Sequence, residues 1–302
     1  MSAPHARRDD VLRGIALMVL AYLNFTAIDT CAKWLVLSGI PTMQVGFVRY
    51  GVHTLLVVAL FLPALGRSLV HTRRPGLEAA RAGFLLASTV FNFFAVQYLP
   101  LTLTATIVFT TPLWICMLSV VLLGERVGPR RWAAIAVGFA GVAIAARPWS
   151  AEAHWAILLS LGMAISAAFY IILTRRLAGV DSTATQQFYA ALLATLAVAP
   201  FLGEWVWPVA ALDWTALALI GVVGWSGHQL LTVAHRFAPA STLAPFIYVQ
   251  MLFMVGSSWL VFAEPPDAWV LSGGAVVLAS GLYLWHRERQ LALTPTTTSG
   301  PA

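Results

Sequence analysis

Long apolar stretches separated by short polar turns make up almost the whole chain between residues 12 and 286. A helix needs about 20 mostly apolar residues to cross the hydrocarbon core of a bilayer. Stretches of about this length occur ten times, at 12–38, 42–62, 79–98, 101–122, 129–146, 154–174, 184–203, 212–234, 240–262 and 267–286. The pattern therefore predicts an all-α polytopic membrane protein with ten transmembrane helices.

The composition agrees with this pattern, and the distribution of arginine predicts which side of the membrane each loop faces. Hydrophobic residues are 60% of the chain and charged residues only 10%, whereas a soluble domain carries about 25% charged residues. Of the eighteen Lys and Arg residues, fifteen fall in alternate loops and the two tails, and Arg147 alone falls in the other loops. The fifteen are Arg7, Arg8, Arg13, Arg67, Arg73, Arg74, Arg81, Arg126, Arg130, Arg131, Arg175, Arg176, Arg236, Arg287 and Arg289.

Basic loops face the cytoplasm, so both termini are predicted to be cytoplasmic, as an even number of helices requires. The net charge of +6 then follows from membrane topology, and nucleic-acid binding is a poor explanation for it. Residues 1–11 are predicted to be a cytoplasmic N-terminal segment, and 290–302, rich in Thr and Pro, a disordered cytoplasmic tail. The first apolar stretch is too long for the core of a signal peptide and is interpreted as a retained helix.

Two distant segments resemble each other and indicate an internal duplication. Pro100–Ala105 and Pro239–Ala244 lie 139 residues apart, an offset that covers five helices. Because five is odd, the second half enters the membrane from the other side. The chain is thus predicted to contain two inverted five-helix repeats, at 12–148 and 149–289, an arrangement typical of secondary transporters. The same offset pairs Phe109 with Tyr248 and Glu125 with Glu264.

The segments around these prolines also resemble a known family. Tyr98–Pro112 running to Leu123–Arg126, and Phe237–Phe246 running to Phe262–Pro265, are similar to the ten-helix drug/metabolite transporters of the EamA type. Asp29–Trp34, followed by Gln44 and Arg49, resembles the first two helices of the same group.

The resemblance implies ten helices with cytoplasmic termini, a central cavity, and alternating access in a bacterial inner membrane. Members of the family export amino acids, opine-type metal chelators and other metabolites, and some import riboflavin or S-adenosylmethionine. We therefore expect a secondary transporter for a small anionic or zwitterionic organic metabolite, with export of an amino-acid-derived or opine-like carboxylate as the first hypothesis. Uptake of riboflavin, S-adenosylmethionine or a similar nutrient is the alternative.

Three charged side chains lie within predicted spans and are the first candidates for the site: Asp29, Lys33 and Arg49. At about 1.5 Å per residue, Asp29 and Arg49 lie at roughly the same depth, about 12–14 Å from the nearest helix ends. Charges at this depth are costly unless they are paired or hydrated, so a functional role is the default expectation. A purely structural bridge between Asp29 and Arg49 is the alternative. Asp29 is the candidate proton-coupling residue, and Lys33 and Arg49 are candidate substrate-binding residues.

Neutral polar residues within spans complete the predicted site, although hydrogen bonding between helices explains many such residues. Pro112 and Pro245 lie inside predicted helices, where a missing N–H creates a kink, and they are the candidate hinges. The further candidate substrate-binding residues are His53, Asn92, Tyr170, His228, Tyr248 and Gln250.

Other classes of function have less support. An intramembrane enzyme would need a metal or acid–base constellation, and the sequence contains no His-Glu-x-x-His motif and no phosphate loop; a channel is a further alternative. Both cysteines lie within predicted spans, and neither a metal nor a cofactor is expected. The expected partners are the lipid bilayer and a small-molecule substrate. A small-residue stripe, Ala134, Gly138, Gly141 and Ala145, allows close helix packing, within one chain or in a homodimer.

Overall fold

The structure is a computed structural model that describes residues 8–123, 128–150, 153–177, 179–238 and 240–293. Regular structure in these ranges is entirely helical. Short 3₁₀ turns at Gly66–Leu69, Ala199–Phe201 and Ala244–Tyr248 extend or join the α-helices. The α-helices are α1 (Arg8–Leu37), α2 (Thr42–Leu65), α3 (Pro75–Tyr98), α4 (Leu101–Val108), α5 (Thr111–Leu123), α6 (Pro129–Ala146), α7 (Ile157–Leu177), α8 (Thr183–Val198), α9 (Ala211–Phe237), α10 (Ala240–Leu243), α11 (Val249–Phe262) and α12 (Ala268–Leu293).

Eight stretches of the described chain are long and apolar enough to cross a membrane, which confirms a polytopic membrane protein. The other two predicted spans correspond to α6 and α8. Helix α8 has 16 residues and α6 has 18, with two arginines in its first turn, so both are marginal by length or composition. Ten membrane crossings therefore remain a prediction. The eight stretches are Asp9–Leu37, Thr42–Leu69, Pro75–Tyr98, Leu101–Leu122, Ile157–Leu177, Ala211–Phe237, Pro245–Phe262 and Ala268–Arg287.

Two spans predicted as continuous helices are interrupted in the structure. The fourth divides into α4 and α5, and the ninth divides into α10, a 3₁₀ turn and α11. Pro112 lies in the first turn of α5, where its missing N–H leaves the carbonyl of Val108 without its usual helical donor. Pro245 lies in the first turn of the 3₁₀ segment. The prolines therefore coincide with interruptions, whereas their role as hinges stays a prediction.

The helices pack in pairs that join the two halves of the chain. Helix α1 packs along α9, α3 along α7, α2 along α8, and α6 along α12. The small-residue stripe of α6 faces α12, because a Cβ added to Gly141 would approach the Gly273 carbonyl oxygen to 2.8 Å. Ser280 of α12 also donates a hydrogen bond to the Ala134 carbonyl at 2.6 Å. The stripe thus serves packing within one chain, and the homodimer remains untested.

The turns between helices gather at two ends of the bundle. One end, called the terminal face below, contains the start of α1, the segment 66–74, residues 179–182 and the end of α12. The other, the distal face, contains the turns at 38–41, 99–100, 147–150, 199–210 and 263–267. Contacts such as Thr72–Asp181 on the terminal face and Trp34–Asp213 on the distal face bring these segments together. Glu125 and Pro239, two members of the predicted repeat, lie outside the described residues, as do 1–7 and 294–302.

Candidate functional site

A small, partly enclosed cavity lies between the two halves of the chain, about two helical turns from the distal ends of most of the helices that line it. Its volume, about 30 Å³, is enough for one or two water molecules. Asp29 is the charged residue among its lining side chains, and three helices of the first half (α1, α3 and α4) and two of the second (α7 and α11) contribute to the wall. The lining residues are Asp29, Asn92, Thr104, Ala105, Val108, Phe109, Met163, Gln250 and Met254.

Asp29 is held in this cavity by an amide. The Asn92 side chain on α3 donates a hydrogen bond from Nδ2 to Asp29 Oδ1 at 2.6 Å, and both residues are buried. Within the described chain, no ion pair links Asp29 to Arg49 or Lys33. The predicted Asp29–Arg49 bridge is thus not a direct contact. Gln250 of α11 faces the same cavity, so three predicted site residues meet at one point.

Arg49 is buried beside this cavity but is not part of its wall. Its Nη1 donates a hydrogen bond to Thr89 Oγ1 at 2.6 Å, and the guanidinium lies 4.8 Å from the Tyr50 ring centre and 5.6 Å from that of Phe93. Stacking on aromatic faces suits a guanidinium, which is more weakly hydrated than an ammonium group. Arg49 is therefore a buried cation that contacts aromatic rings and a hydroxyl group, and no carboxylate of the described residues pairs with it directly.

His53 and His228 face each other across α2 and α9, with ring centres 6.0 Å apart. His53 is 3.4 Å from Gln187 of α8, which also accepts a hydrogen bond from Gln229 at 3.4 Å. The His228 ring packs edge-on against Phe25 at 5.2 Å. These residues form a second polar group, toward the terminal face, that is separate from the walls of the central cavity.

Lys33 does not line the cavity, and its role in substrate binding stays a prediction. Its ammonium group contacts the Glu264 carboxylate at 2.5 Å and the Leu99 carbonyl at 3.1 Å. It also lies 5.0 Å from the centre of the Phe262 ring. A lysine stem reaches several ångströms, so Lys33 extends toward the distal face instead of pairing with Asp29 one turn earlier. Glu264 is therefore the ion-pair partner of Lys33.

Tyr170 also has a structural partner, the buried guanidinium of Arg81. Arg81 donates hydrogen bonds to the Tyr170 hydroxyl at 3.0 Å, the Thr174 hydroxyl at 2.8 Å and the Gln186 carbonyl at 2.9 Å. The arginine pattern predicts Arg81 in a loop, but Arg81 is 4% exposed and lies in α3. Pro75 in the first turn was the available signal, because proline favours the first helical position.

Tyr248 lies beside its predicted repeat counterpart. The Phe109 and Tyr248 rings meet edge to face with centres 5.8 Å apart, and Phe109 lines the central cavity. A Cβ at Gly281 of α12 would overlap the Tyr248 hydroxyl group, so a glycine is needed for this close approach. Tyr248 is thus behind the cavity wall, where it supports Phe109.

Two ion pairs close the distal face above the cavity. The first is Lys33–Glu264, and the second joins Arg147 Nη2 to Asp267 Oδ2 at 2.6 Å. Both connect the first half of the chain to the turn between α11 and α12.

Comparisons with known proteins agree with this geometry. The model of the EamA-like transporter family matches twice, at residues 12–147 and 154–285. A riboflavin transporter from Rhizobium johnstonii is 28% identical over 93% of this chain and 94% of its own length. An S-adenosylmethionine uptake transporter from Rickettsia conorii is 25% identical over 92% and 94%. The pseudopaline exporter CntI of Pseudomonas aeruginosa is 26% identical over 93% and 99%.

A crystal structure with 21% sequence identity matches 90% of this chain and 98% of its own, with a TM-score of 0.59, which supports the fold alone. The two family matches together cover most of the sequence, and the similar proteins named above are all transporters. The chain is therefore a multi-pass membrane protein of the EamA-like transporter family and a small-molecule transporter.

Proposed function

We propose that the protein is a secondary transporter of a bacterial inner membrane that moves a small zwitterionic or anionic organic metabolite by alternating access. The central cavity is the observation that carries this proposal. Asp29, Asn92 and Gln250, from three different elements, lie around one partly enclosed space between the halves of the chain. Enclosure with a few convergent polar groups is typical of small-molecule sites.

The arrangement of helices supports alternating access between two related halves. In the proposed repeat, α1 corresponds to α7, α2 to α8, α3 to α9 and α6 to α12. Replacing each helix by its counterpart converts the α1–α9 pair into the α7–α3 pair, and both pairs are packed. The same exchange leaves the α2–α8 and α6–α12 pairs unchanged, and these are packed too. This symmetry fits two inverted repeats, divided near residue 148, that rock against each other around a central site. By the distribution of arginine, the terminal face is cytoplasmic.

The charges near the cavity favour a substrate with both a hydrogen-bond donor and an anionic group. Asp29 and the Gln250 amide would bind an ammonium or N–H group, while the buried guanidinium of Arg49 lies behind the wall as the nearby positive charge. A cavity of about 30 Å³ is too small for such a metabolite, because it has room for only one or two waters. Binding must therefore widen it, with the interruptions at Pro112 and Pro245 as the proposed hinges.

Export of an amino-acid-derived or opine-like carboxylate is the proposed direction, in line with the pseudopaline exporter among the similar proteins. Uptake is the second candidate. It is favoured by the names of the riboflavin and S-adenosylmethionine transporters, which match at comparable identity. Alternating access is symmetric in principle, so the direction has to be measured.

Counterflow in proteoliposomes tests the proposal. Purified protein would be reconstituted with an unlabelled internal compound and exposed to the labelled form of riboflavin, S-adenosylmethionine or an opine-type carboxylate. We expect saturable counterflow of at least one of them. Flux that does not saturate and shows no counterflow, for compounds that do bind, would instead indicate a channel.

Asp29→Asn tests the site itself, because the amide keeps an oxygen for Asn92 while losing the charge. A hydrogen bond to a charged group contributes about 1.5–3 kcal/mol, so we expect substrate affinity to fall roughly 10- to 100-fold. Glu204→Gln, at an exposed carboxyl of the distal face, is the matched control. Unchanged affinity in Asp29→Asn would remove Asp29 from the site, and unchanged dependence on a pH gradient would remove it from proton coupling.

A further inference from the structure

A wide pocket opens on the terminal face, between the end of α2 and the start of α8. Residues 65–73, at and after the end of α2, form one wall, and residues 179–185 form the other. The volume of the pocket is about 830 Å³, against about 30 Å³ for the central cavity. The two have no residue in common, so the pocket is a separate space with room for a ligand of its own.

Hydrogen bonds from the α8 side fix the backbone of the opposite wall. The Tyr189 hydroxyl donates to the Val70 carbonyl at 2.8 Å. Asp181 accepts hydrogen bonds from the Thr72 hydroxyl at 2.6 Å and from the Arg73 backbone N–H at 3.3 Å. Because these bonds hold the segment after α2 against α8, the pocket is already formed, and little ordering of the backbone opposes binding.

The side chains that remain free in the pocket are basic. Arg67, His71 and Arg73 line it and are exposed, and within the described residues their side chains form no hydrogen bond or ion pair. Asp181 is the acidic residue of the lining, and both of its oxygens already accept hydrogen bonds. Two guanidinium groups against one carboxylate leave the pocket net positive whether or not His71 is protonated. Such a pocket attracts an anion.

The donors in the pocket suit a phosphate group. A guanidinium is planar and permanently charged, and its N–H groups bind two phosphate oxygens at once. Arg67 and Arg73 supply two such groups from one fixed segment, with His71 between them in the sequence.

The depth of the pocket indicates where that phosphate comes from. The apolar stretch Thr42–Leu69 is long enough to cross a membrane, and the pocket lies at its end, with Leu65 in the wall. Lipid headgroups occupy a layer of about 5–7 Å beyond the hydrocarbon core. Leu65 is 38% exposed, and Leu62, one turn deeper on the same face of α2, is 41% exposed. Apolar surface for an acyl chain therefore continues from the basic pocket into the membrane.

We infer that this pocket binds the phosphate of an anionic phospholipid, with Arg67 and Arg73 on the phosphate oxygens and an acyl chain along α2 beside Leu62 and Leu65. By the distribution of arginine, the lipid belongs to the cytoplasmic leaflet. Basic pockets at the cytoplasmic ends of membrane helices bind headgroups of this kind. The site neither uses nor requires the transport cycle proposed above.

Native mass spectrometry of the full-length protein, released from a neutral detergent, tests the inference. Phosphatidylglycerol and phosphatidylcholine with the same acyl chains would be titrated separately. The dissociation constant of the first bound lipid follows from the fraction of protein that carries one lipid. We expect phosphatidylglycerol to bind more tightly than phosphatidylcholine, because the two lipids differ in the net charge of the headgroup.

Arg67→Gln combined with Arg73→Gln should weaken phosphatidylglycerol binding by about 10- to 30-fold, since each arginine near an anionic lipid contributes about fivefold. Both side chains are exposed, so the melting temperature without lipid should equal that of the wild type. Arg67→Lys combined with Arg73→Lys keeps the charge and should keep most of the affinity. Arg175→Gln combined with Arg236→Gln is the matched control. It removes the same charge from exposed positions of the same face and should stay within about threefold of the wild type, because exposed charges outside the pocket are screened.

Three results would overturn the inference. Phosphatidylcholine could bind as tightly as phosphatidylglycerol, or the control pair could lose as much affinity as the pocket pair, which would assign the attraction to the whole face. Inorganic phosphate is the third arm: it should not displace the lipid even in large excess, and displacement at the lipid's own concentration would assign the pocket to a soluble phosphate. Failure of counterflow with all tested compounds would leave these readouts unaffected.

Discussion

The two faces of the bundle are closed by different kinds of contact. On the distal face, Lys33–Glu264 and Arg147–Asp267 are ion pairs in which at least one side chain keeps a third or more of its surface exposed, since Glu264 is 35% and Asp267 is 42% exposed. On the terminal face, the Arg81 side chain is 5% exposed and binds neutral acceptors on two other helices.

This difference matters because water competes with one kind of contact and not with the other. Exposed ion pairs contribute about 0–1 kcal/mol, whereas removing one member of a buried charged network costs about 3–5 kcal/mol. The distal face should therefore open at lower cost and respond to salt, and the terminal face should open only when the Arg81 network is released.

Removal of Arg81 is the change with the largest expected effect. Arg81→Ala leaves the Gln186 carbonyl, the Tyr170 hydroxyl and buried Glu78 without their guanidinium, so we expect the free energy of unfolding to fall by about 3–5 kcal/mol. Chemical denaturation in detergent would measure it. The control is Arg175→Ala, at an exposed arginine of the same face, for which about 0.5 kcal/mol or less is expected. Equal losses in both variants would contradict the view that Arg81 holds the terminal face closed.

Hydropathy and charge could predict much of this fold, because a long apolar helix is recognisable from its own residues, whatever it packs against. The positions of the long helices and the burial of Asp29, Arg49 and Asn92 follow from local sequence. The interruptions near Pro112 and Pro245 could be predicted as kinks, but their extent depends on the neighbouring helices.

Contacts between the halves could not be predicted in this way. Lys33 and Glu264 are 231 residues apart, and their pairing depends on where α1 packs against the turn after α11. The sequence indicates a nearer partner for Lys33, Asp29, because residues four apart share a helix face. Glu78 lies just outside the predicted span, which begins at residue 79, whereas the helix begins at Pro75. Arg81 lies inside that span, although the arginine pattern groups it with the loop residues.

Glu264→Gln should have an intermediate effect and would measure the more buried ion pair of the distal face. The Lys33 side chain is 3% exposed, so losing its counter-charge while keeping an amide oxygen should cost about 1–3 kcal/mol. In this variant the distal face should open locally more often, which would be measured as faster hydrogen exchange in 99–103 and 259–264. Exchange on the terminal face, at 75–85, is the internal control and should not change. A loss larger than that of Arg81→Ala would reverse the proposed order of the two faces.

Asp267→Asn should have the smallest effect, because the pair that it weakens is the most exposed of the three contacts. Asp267 also caps α12, where its Oδ1 accepts a hydrogen bond from the Val270 N–H at 2.7 Å, and asparagine keeps that cap. The remaining loss is the charge interaction with Arg147, about 0–1 kcal/mol, and it should disappear in about 1 M salt, where the screening length is about 3 Å. The free energy of unfolding of Asp267→Asn and of Glu264→Gln, measured at low and at high salt, distinguishes the two ion pairs. Salt should weaken the Lys33–Glu264 pair less, because burial shields it from ions. If both variants lost their effect equally in salt, the distal face would be held by surface charge alone, and the difference in burial between its two ion pairs would have no energetic meaning.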